Sequence, residues 1–297
     1  MEFTGFPGTT LRASQPDDSA SGSPDGLHVV SATRGCQIAP MERSRHLRVA
    51  LEAAHAAAEV IRHYYREGAE VSYKADATPV TRADVEAEEV IRRAITSAFP
   101  DHGFYGEETG SRGLEAEFLW LVDPIDGTRS FVRGYPFFST QIALMHHGEI
   151  IVGVSSAPAF GETAWAERGQ GAWLDGQPCR VSTVARLEEA AVSSGNLRTL
   201  ASGPGWADWA QVVRQAARIR GYGDFYHYHL LATGRIEAVL ESDVNVLDVA
   251  ALSLIVAEAG GRFTDLAGQP LGLATTSVLA GNPRVYGEIA ALMGIPA

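Results

Sequence analysis

Three acidic segments hold most of the chemistry open to this sequence: Gly106-Glu107-Glu108, Asp123-Pro124-Ile125-Asp126-Gly127-Thr128 and Leu247-Asp248-Val249-Ala250-Ala251. In the middle one, Pro124 fixes φ and bars a regular ladder, so the chain is expected to turn after Asp123. Two carboxylates three residues apart on a turn can point into one space. Gly127 lets the backbone approach a ligand closely, and the amides of Gly127 and Thr128 become donors for an anion if a helix starts there. Carboxylate and carbonyl oxygens suit a hard cation such as Mg²⁺, which keeps several waters and a substrate phosphate in its shell. The combination describes a site for a metal-bound phosphate.

Each segment also has a plainer reading. Asp-Pro and Asp-Gly are turn dipeptides, Glu-Glu in a loop is commonly a solvated face, and Asp248 alone reads as a helix N-cap. The joint pattern is what carries the argument.

The elements that must position these residues follow from periodicity. Leu47, Leu51, Ala54, Ala58, Ile61 and Tyr65 paint one face of a helix over 44–67, closed by Gly68. Residues 71–80 read as a short hairpin or loop around Lys74. Thr81 starts a second helix over 81–98, with Asp84 in its first turn, where a carboxylate complements the helix dipole. Phe118–Val122 is a continuous apolar run, as in a buried strand ending at Asp123. Short β segments follow at 137–145, 150–156, 162–167 and 171–174. Then come helices at 206–217, 225–233, 248–259 and 284–293, with strands at 236–240, 262–264 and 277–281. The pattern is α+β over 41–185 followed by α/β over 186–297, divided near residue 185.

Composition bounds the function. The chain has 297 residues, with 24 Lys+Arg against 36 Asp+Glu, and carries a formal charge of −12. That balance argues against nucleic acid as the main partner, which calls for a basic face. No apolar run reaches the ~18 residues of a membrane span. Cys36 and Cys179 form no CxxC pair, so neither a disulfide scaffold nor a zinc ribbon fits, and a cytoplasmic setting is expected. Residues 1–40 include 18 Gly, Ser, Pro or Thr, carry no secretory signal and read as a disordered tail, with Met41 an alternative start.

The set GEE at 106–108, DPIDGT at 123–128 and LDVAA at 247–251, with VTRAD at 80–84, resembles the inositol monophosphatase superfamily of Mg²⁺-dependent phosphatases over roughly 45–295. One departure is Leu247, where the family usually has Trp. The resemblance implies a layered α-β-α-β-α sandwich of the inositol monophosphatase and fructose-bisphosphatase type. It implies two or three Mg²⁺ ions, held by Glu107, Asp123 and the Ile125 carbonyl at one position and by Asp123, Asp126 and Asp248 at another. Asp84 with Thr128 would orient the attacking water, with Glu107 assisting a weaker third metal. The amides of Gly127 and Thr128 would bind phosphate. In-line attack by activated water, lithium inhibition and a homodimer are also expected from the family. Five converging carboxylates without metal should repel one another, leaving some protonated.

The alcohol is chosen by other residues. RIRGYGDFYHYHLLATG at 218–234, TRSFVRG at 128–134, SSAPAF at 155–160 and ESDVNVLD at 241–248 look more like the histidinol-phosphatase branch than the inositol-specific one. Asp224 would meet a substrate ammonium or imidazole, and Glu241 matches a position that contacts the alcohol or amine. Their plain readings are an N-cap and a solvated strand end. The expected partner is thus a small phosphate ester, with neither nucleic acid nor membrane. Alternatives are an inositol-1-monophosphatase, a broad sugar-phosphate phosphatase, or, in a different class, a partner-binding protein in RNA metabolism. His227 and His229 lie two apart on a helix, about 200° around it, and are not expected to share a metal. Strand alternation likewise separates His146 from His147.

Overall fold

The computed structural model describes residues 43–68, 70–73 and 79–296; Cys36, Met41, Lys74 and the tail expected at 1–40 lie outside them. Helix α1 (Arg45–Glu67) begins where Ser44 Oγ accepts the Leu47 amide at 3.1 Å and ends at Gly68, whose φ is 86°. Strands β1 (Val71–Tyr73) and β2 (Pro79–Thr81) pair antiparallel and deliver the chain to α2 (Arg82–Ala98). Next come β3 (Gly103–Gly106), β4 (Gly110–Arg112), β5 (Phe118–Asp126), the short helix α3 (Thr128–Val132), β6 (Ser139–His146), β7 (Glu149–Ala157), β8 (Glu162–Glu167), β9 (Ala172–Leu174) and β10 (Gln177–Pro178). After them run β11 (Ala191–Ser194), α4 (Leu197–Ser202), α5 (Trp206–Gln215), β12 (Arg218–Arg220), α6 (Asp224–Ala232), β13 (Ala238–Ser242), α7 (Val246–Glu258), β14 (Arg262–Thr264), β15 (Ser277–Gly281) and α8 (Pro283–Met293).

Strands β3 to β10 form one sheet in the order β10-β9-β8-β7-β6-β5-β3-β4, antiparallel except for the β3–β5 pair. Strands β11 to β15 form a second, in the order β12-β11-β13-β15-β14. The first sheet is covered on both faces, which explains the unbroken apolar run of β5. Trp120 and Val122 pack under α1 and α2 with Ile91, Ile142 and Val154. Leu119 and Leu121 turn to the opposite face, towards Ala250, Ala251 and Ile255 of α7. A Cβ on Gly153 would lie 2.6 Å from the Ala251 carbonyl oxygen, so glycine there admits α7 close to β7. Helices α6 and α7 also cover the second sheet through Phe225, Tyr228, Val239 and Val278. Its far face packs Leu240 and Leu279 against Trp209 of α5 and Tyr286 and Ile289 of α8. The layers therefore run α-β-α-β-α. Among the described residues, no helix is long and apolar enough to cross a membrane.

Three local expectations change. Strand β5 does not stop at Asp123 but runs to Asp126, because the register shift between Asp123 and Asp126 absorbs Pro124, and Thr140 Oγ1 donates to the Pro124 carbonyl at 2.9 Å. The N-cap of α7 is Asn245, and Asp248 is the third helical residue. Gly223, not Asp224, caps α6.

Candidate active site

The site grows from the ends of four elements. Thr81 caps α2, and Asp84 completes a capping box, a reciprocal arrangement of the helix start. Oδ2 of Asp84 accepts the Thr81 amide at 2.8 Å and the Thr81 hydroxyl at 2.6 Å. That leaves Oδ1 for Thr128, whose Oγ1 lies 3.2 Å away. Thr128 opens α3, and the same hydroxyl lies 3.0 Å from the Ile125 carbonyl oxygen. Asp84 is fully buried, and Thr128, which lines the cavity, is its contact with that space.

Asp123 shares the β5 face of Leu119 and Leu121 and is therefore directed at the α7 layer. Its Oδ1 accepts the Ile125 amide at 2.9 Å, while the Ile125 side chain enters the core beneath α1 and α2. Gly127 has φ 90°, and a Cβ there would lie 2.5 Å from the Phe137 carbonyl oxygen, so only glycine fits. Its carbonyl accepts the amides of Ser130 and Phe131 at 2.9 and 3.0 Å, and the Thr128 amide, at the helix start, has no acceptor within the helix.

The Glu107-Glu108 turn leaves β3 and is anchored by Glu88, a fully buried carboxylate of α2. Glu88 accepts the amides of Glu108 and Thr109 at 2.8 and 2.7 Å, and the Thr109 hydroxyl as well. Opposite, the α7 capping box turns Asp248 inward, with the Asn245 amide donating to its Oδ2 at 2.8 Å.

Asp123, Asp126 and Asp248 each bring a carboxylate oxygen within 4.8 Å of the others. Among the described residues none of the three is ion-paired with Lys or Arg. Burial first, then repulsion from Glu107, Asp248 and Asp126, holds the Asp123 carboxyl well above the usual range. Asp126 is raised in the same way, by burial and then by Asp248, Asp224, Glu241 and Glu107. Burial pushes Asp248 up to about 7 against the lowering effect of the Asn245 amide, and Glu107 adds to the rise. Burial also raises Asp84, despite the bonds from Thr81 and Thr128. The expected mutual repulsion is present, and an all-oxygen, acidic donor set fits a hard divalent cation.

These residues open onto a cavity of about 640 Å³ whose lining includes Glu107, Asp123, Asp126, Thr128, Asp224 and Asp248. A smaller recess of about 40 Å³ joins Asp126, Asp224, Tyr228, Glu241 and Asp248. Asp224 is the first residue of α6, half-buried, with φ 47°. Burial and then repulsion from Glu241 raise its carboxyl to about 6. Glu241 is not a solvated strand end: it is buried on the β13 face that carries Val239. Its Oε2 accepts the Tyr228 hydroxyl at 2.8 Å and lies 3.0 Å from His227 Nε2, while His227 Nδ1 lies 3.2 Å from Ser193 Oγ. Thus all ten sequence-predicted site residues converge on the cavity, its recess or the hydrogen bonds that support them.

Sequence reasoning missed Glu88 and the His227–Tyr228 support of Glu241. A signal existed for both: Glu88 lies one helical turn after Asp84, and His227 and Tyr228 follow Asp224 within one turn. His227 and His229 do diverge, the latter reaching Ser155 Oγ at 3.0 Å. Cys179 is buried, and burial pushes its thiol up to about 11, away from the thiolate form.

A family model, that of the inositol monophosphatase family, matches residues 42–294. A histidinol-phosphatase of Chlorobaculum parvum is 37% identical over 249 residues, covering 84% of this chain and 96% of that protein. An inositol-1-monophosphatase of Rhizobium meliloti is 34% identical over 251 residues, covering 82% and 94%. Among solved structures, the extragenic suppressor protein suhB from Bartonella henselae superposes with a TM-score of 0.77 at 31% identity, covering 84% of this chain and 98% of that one.

Proposed function

Since the chain belongs to the inositol monophosphatase family and is a phosphomonoesterase, we propose that its substrate is L-histidinol phosphate. The observation that carries this reading is the paired carboxylates Asp224 and Glu241 on the wall facing the acidic centre. A substrate with an ammonium group and an imidazole offers both of them hydrogen-bonded counter-charges. Inositol phosphate offers these carboxylates hydroxyl donors but no counter-charge beyond the Tyr228 and His227 contacts that Glu241 already has. The relative named histidinol-phosphatase supports the same choice.

Glu107, Asp123, Asp126 and Asp248, with the Ile125 carbonyl, are the residues that would hold two or three Mg²⁺ ions. Bound there, Mg²⁺ would lower the pKa of water and neutralise charge on the departing oxygen. The remaining work falls to this chain's own groups. Asp84 and Thr128 form a fixed acceptor and hydroxyl that orient the attacking water. The Gly127 and Thr128 amides receive phosphate oxygens. Asp224 and Glu241 hold the amino and imidazole end, so that phosphorus is presented in line to the water.

Phosphate release from L-histidinol phosphate and myo-inositol-1-phosphate, measured side by side in Mg²⁺, tests the proposal. The expected preference in kcat/KM for the former is about 100-fold, or about 2.7 kcal/mol of transition-state discrimination. The reverse preference overturns the substrate assignment.

A further inference from the structure

A second cluster with ligand chemistry lies at the opposite end of the first sheet. His146 ends β6, and His147 follows it with φ 49°, in the left-handed region. That turn undoes the strand alternation, so the two imidazoles are not separated as the sequence suggests. Both reach the carboxylate of Glu117, the residue before β5: His146 Nε2 is 2.9 Å and His147 Nε2 3.5 Å from Glu117 Oε1. One ligand atom from each of the three residues lies within 4.8 Å of the others.

The cluster is held in place. The His146 ring stacks on Phe118, with centroids 4.3 Å apart and planes at 10°. The His147 amide donates to the Glu117 carbonyl at 3.4 Å, tying the turn to the start of β5. A tetrahedral zinc shell with bonds of about 2.0–2.1 Å has ligand-to-ligand edges of about 3.3 Å. The two observed N–O separations bracket that edge. The Glu117 and His147 side chains are exposed and that of His146 is half-buried, which leaves room for water at the remaining position.

We propose that Glu117, His146 and His147 form a peripheral site for a borderline transition-metal ion of the Zn²⁺ class, with water completing the shell. Two imidazoles and one carboxylate suit such an ion, whereas the all-oxygen set of Asp123, Asp126 and Asp248 suits Mg²⁺. The two sites are separate. On the paired strands β5 and β6, Phe118 faces His146 and Asp123 faces Gln141, a spacing of five residues or about 17 Å. An ion bound at the periphery would cross-link the start of β5 to the β6–β7 turn.

The test is Zn²⁺ binding to the full chain by calorimetry in excess Mg²⁺, with variants of the cluster as the reference for any Zn²⁺ taken up at the carboxylate centre. His147→Asn and Glu117→Gln are the variants. Asparagine tolerates positive φ, so the first preserves the turn while removing an imidazole, and the second changes only one exposed carboxylate. The wild type should bind one equivalent of Zn²⁺ more tightly than either variant, by at least about tenfold. Both variants should keep Mg²⁺-dependent phosphatase activity, which shows that they are folded. Co²⁺ should give the intense visible absorption of a low-coordinate, imidazole-bound ion in the wild type only. Equal Zn²⁺ affinity in wild type and both variants, or only the faint Co²⁺ spectrum of a six-oxygen shell, overturns the proposal.

Discussion

The Tyr228 hydroxyl donates a 2.8 Å hydrogen bond to Glu241, on the oxygen that also lies 3.0 Å from His227 Nε2. Helix α6 thereby fixes a carboxylate that belongs to β13. The other oxygen of Glu241 lies against Gly195, where any Cβ would collide with it. The carboxylate is left with one open direction, the recess it shares with Asp224 and Asp126. Tyr228→Phe removes one donor and keeps His227 in place. We expect KM for L-histidinol phosphate to rise about tenfold, the size of one charge-assisted hydrogen bond, with kcat changed by less than about threefold. KM for p-nitrophenyl phosphate should not move. An equal loss on both esters would reduce Tyr228 to a packing role.

Asp224→Asn should act on the same discrimination. Asparagine tolerates the φ of 47° at this position, so the start of α6 is preserved. Because burial and Glu241 raise Asp224 to about 6, its carboxylate forms only as pH rises through that value. KM for the cationic substrate should accordingly fall across about pH 5–7 in the wild type. In the variant that limb should flatten and KM should be about tenfold higher at neutral pH. Steady-state KM against pH for both proteins decides it, and an unchanged profile in Asp224→Asn removes the residue from substrate recognition.

Stability without metal should run against the usual acid sensitivity. Asp248 is raised from 3.8 to about 7, and Asp123 and Asp126 are raised as well. A folded pKa above the unfolded one means that the folded chain holds protons the unfolded chain has released. The contribution is full below about pH 4 and is lost as pH rises through about 7. In EDTA, these groups should therefore lower Tm between about pH 5 and 7.5, and Mg²⁺ should restore it at the upper end. Asp126→Asn should melt higher than the wild type in EDTA at neutral pH and gain less from Mg²⁺. Calorimetry across pH, with and without Mg²⁺, checks the sign. A Tm that rises with pH in EDTA contradicts the electrostatic account.

What could be read from the sequence was local. The break at Gly127 and the helix start at Thr128 are written in adjacent residues, although β5 runs on to Asp126, and the spacing of Leu47, Ala54, Ala58 and Ile61 marks the buried face of α1 without help from the rest of the chain. Where the structure departs, the deciding partner is distant. Strand β3 spans four residues, two of them glycine, and β12 reads Arg-Ile-Arg; each becomes a strand through its pairing with β5 or β11. Glu88 stands in a run of charged residues that looks like a solvated helix face, yet its ligands are amides about 20 positions further along. The Asn245 cap is legible, since Asn three residues before Asp248 fits a capping box. The His146–Glu117–His147 cluster is not, because it depends on one left-handed residue.

The Thr128 hydroxyl couples the α2 capping box to the cavity, which makes it the sharpest test of the catalytic assignment. It lies 3.2 Å from Asp84 Oδ1 and 3.0 Å from the Ile125 carbonyl, while Asp84 Oδ2 is committed to Thr81. Thr128→Ala removes the hydroxyl and leaves Asp84 with only its capping role. If the pair orients and accepts the proton of the attacking water, kcat should fall about 100- to 1,000-fold with KM changed by less than about threefold. Thr128→Ser should recover most of the rate. Asp84→Asn should show a similar loss in kcat with little change in Tm, because its amide oxygen can still accept both Thr81 donors while its NH2 replaces Oδ1, the acceptor of the Thr128 hydroxyl. Measuring kcat, KM and Tm for the three variants separates the roles. A Thr128→Ala enzyme with near-normal kcat would place the proton acceptor elsewhere and leave Asp84 as a helix cap alone.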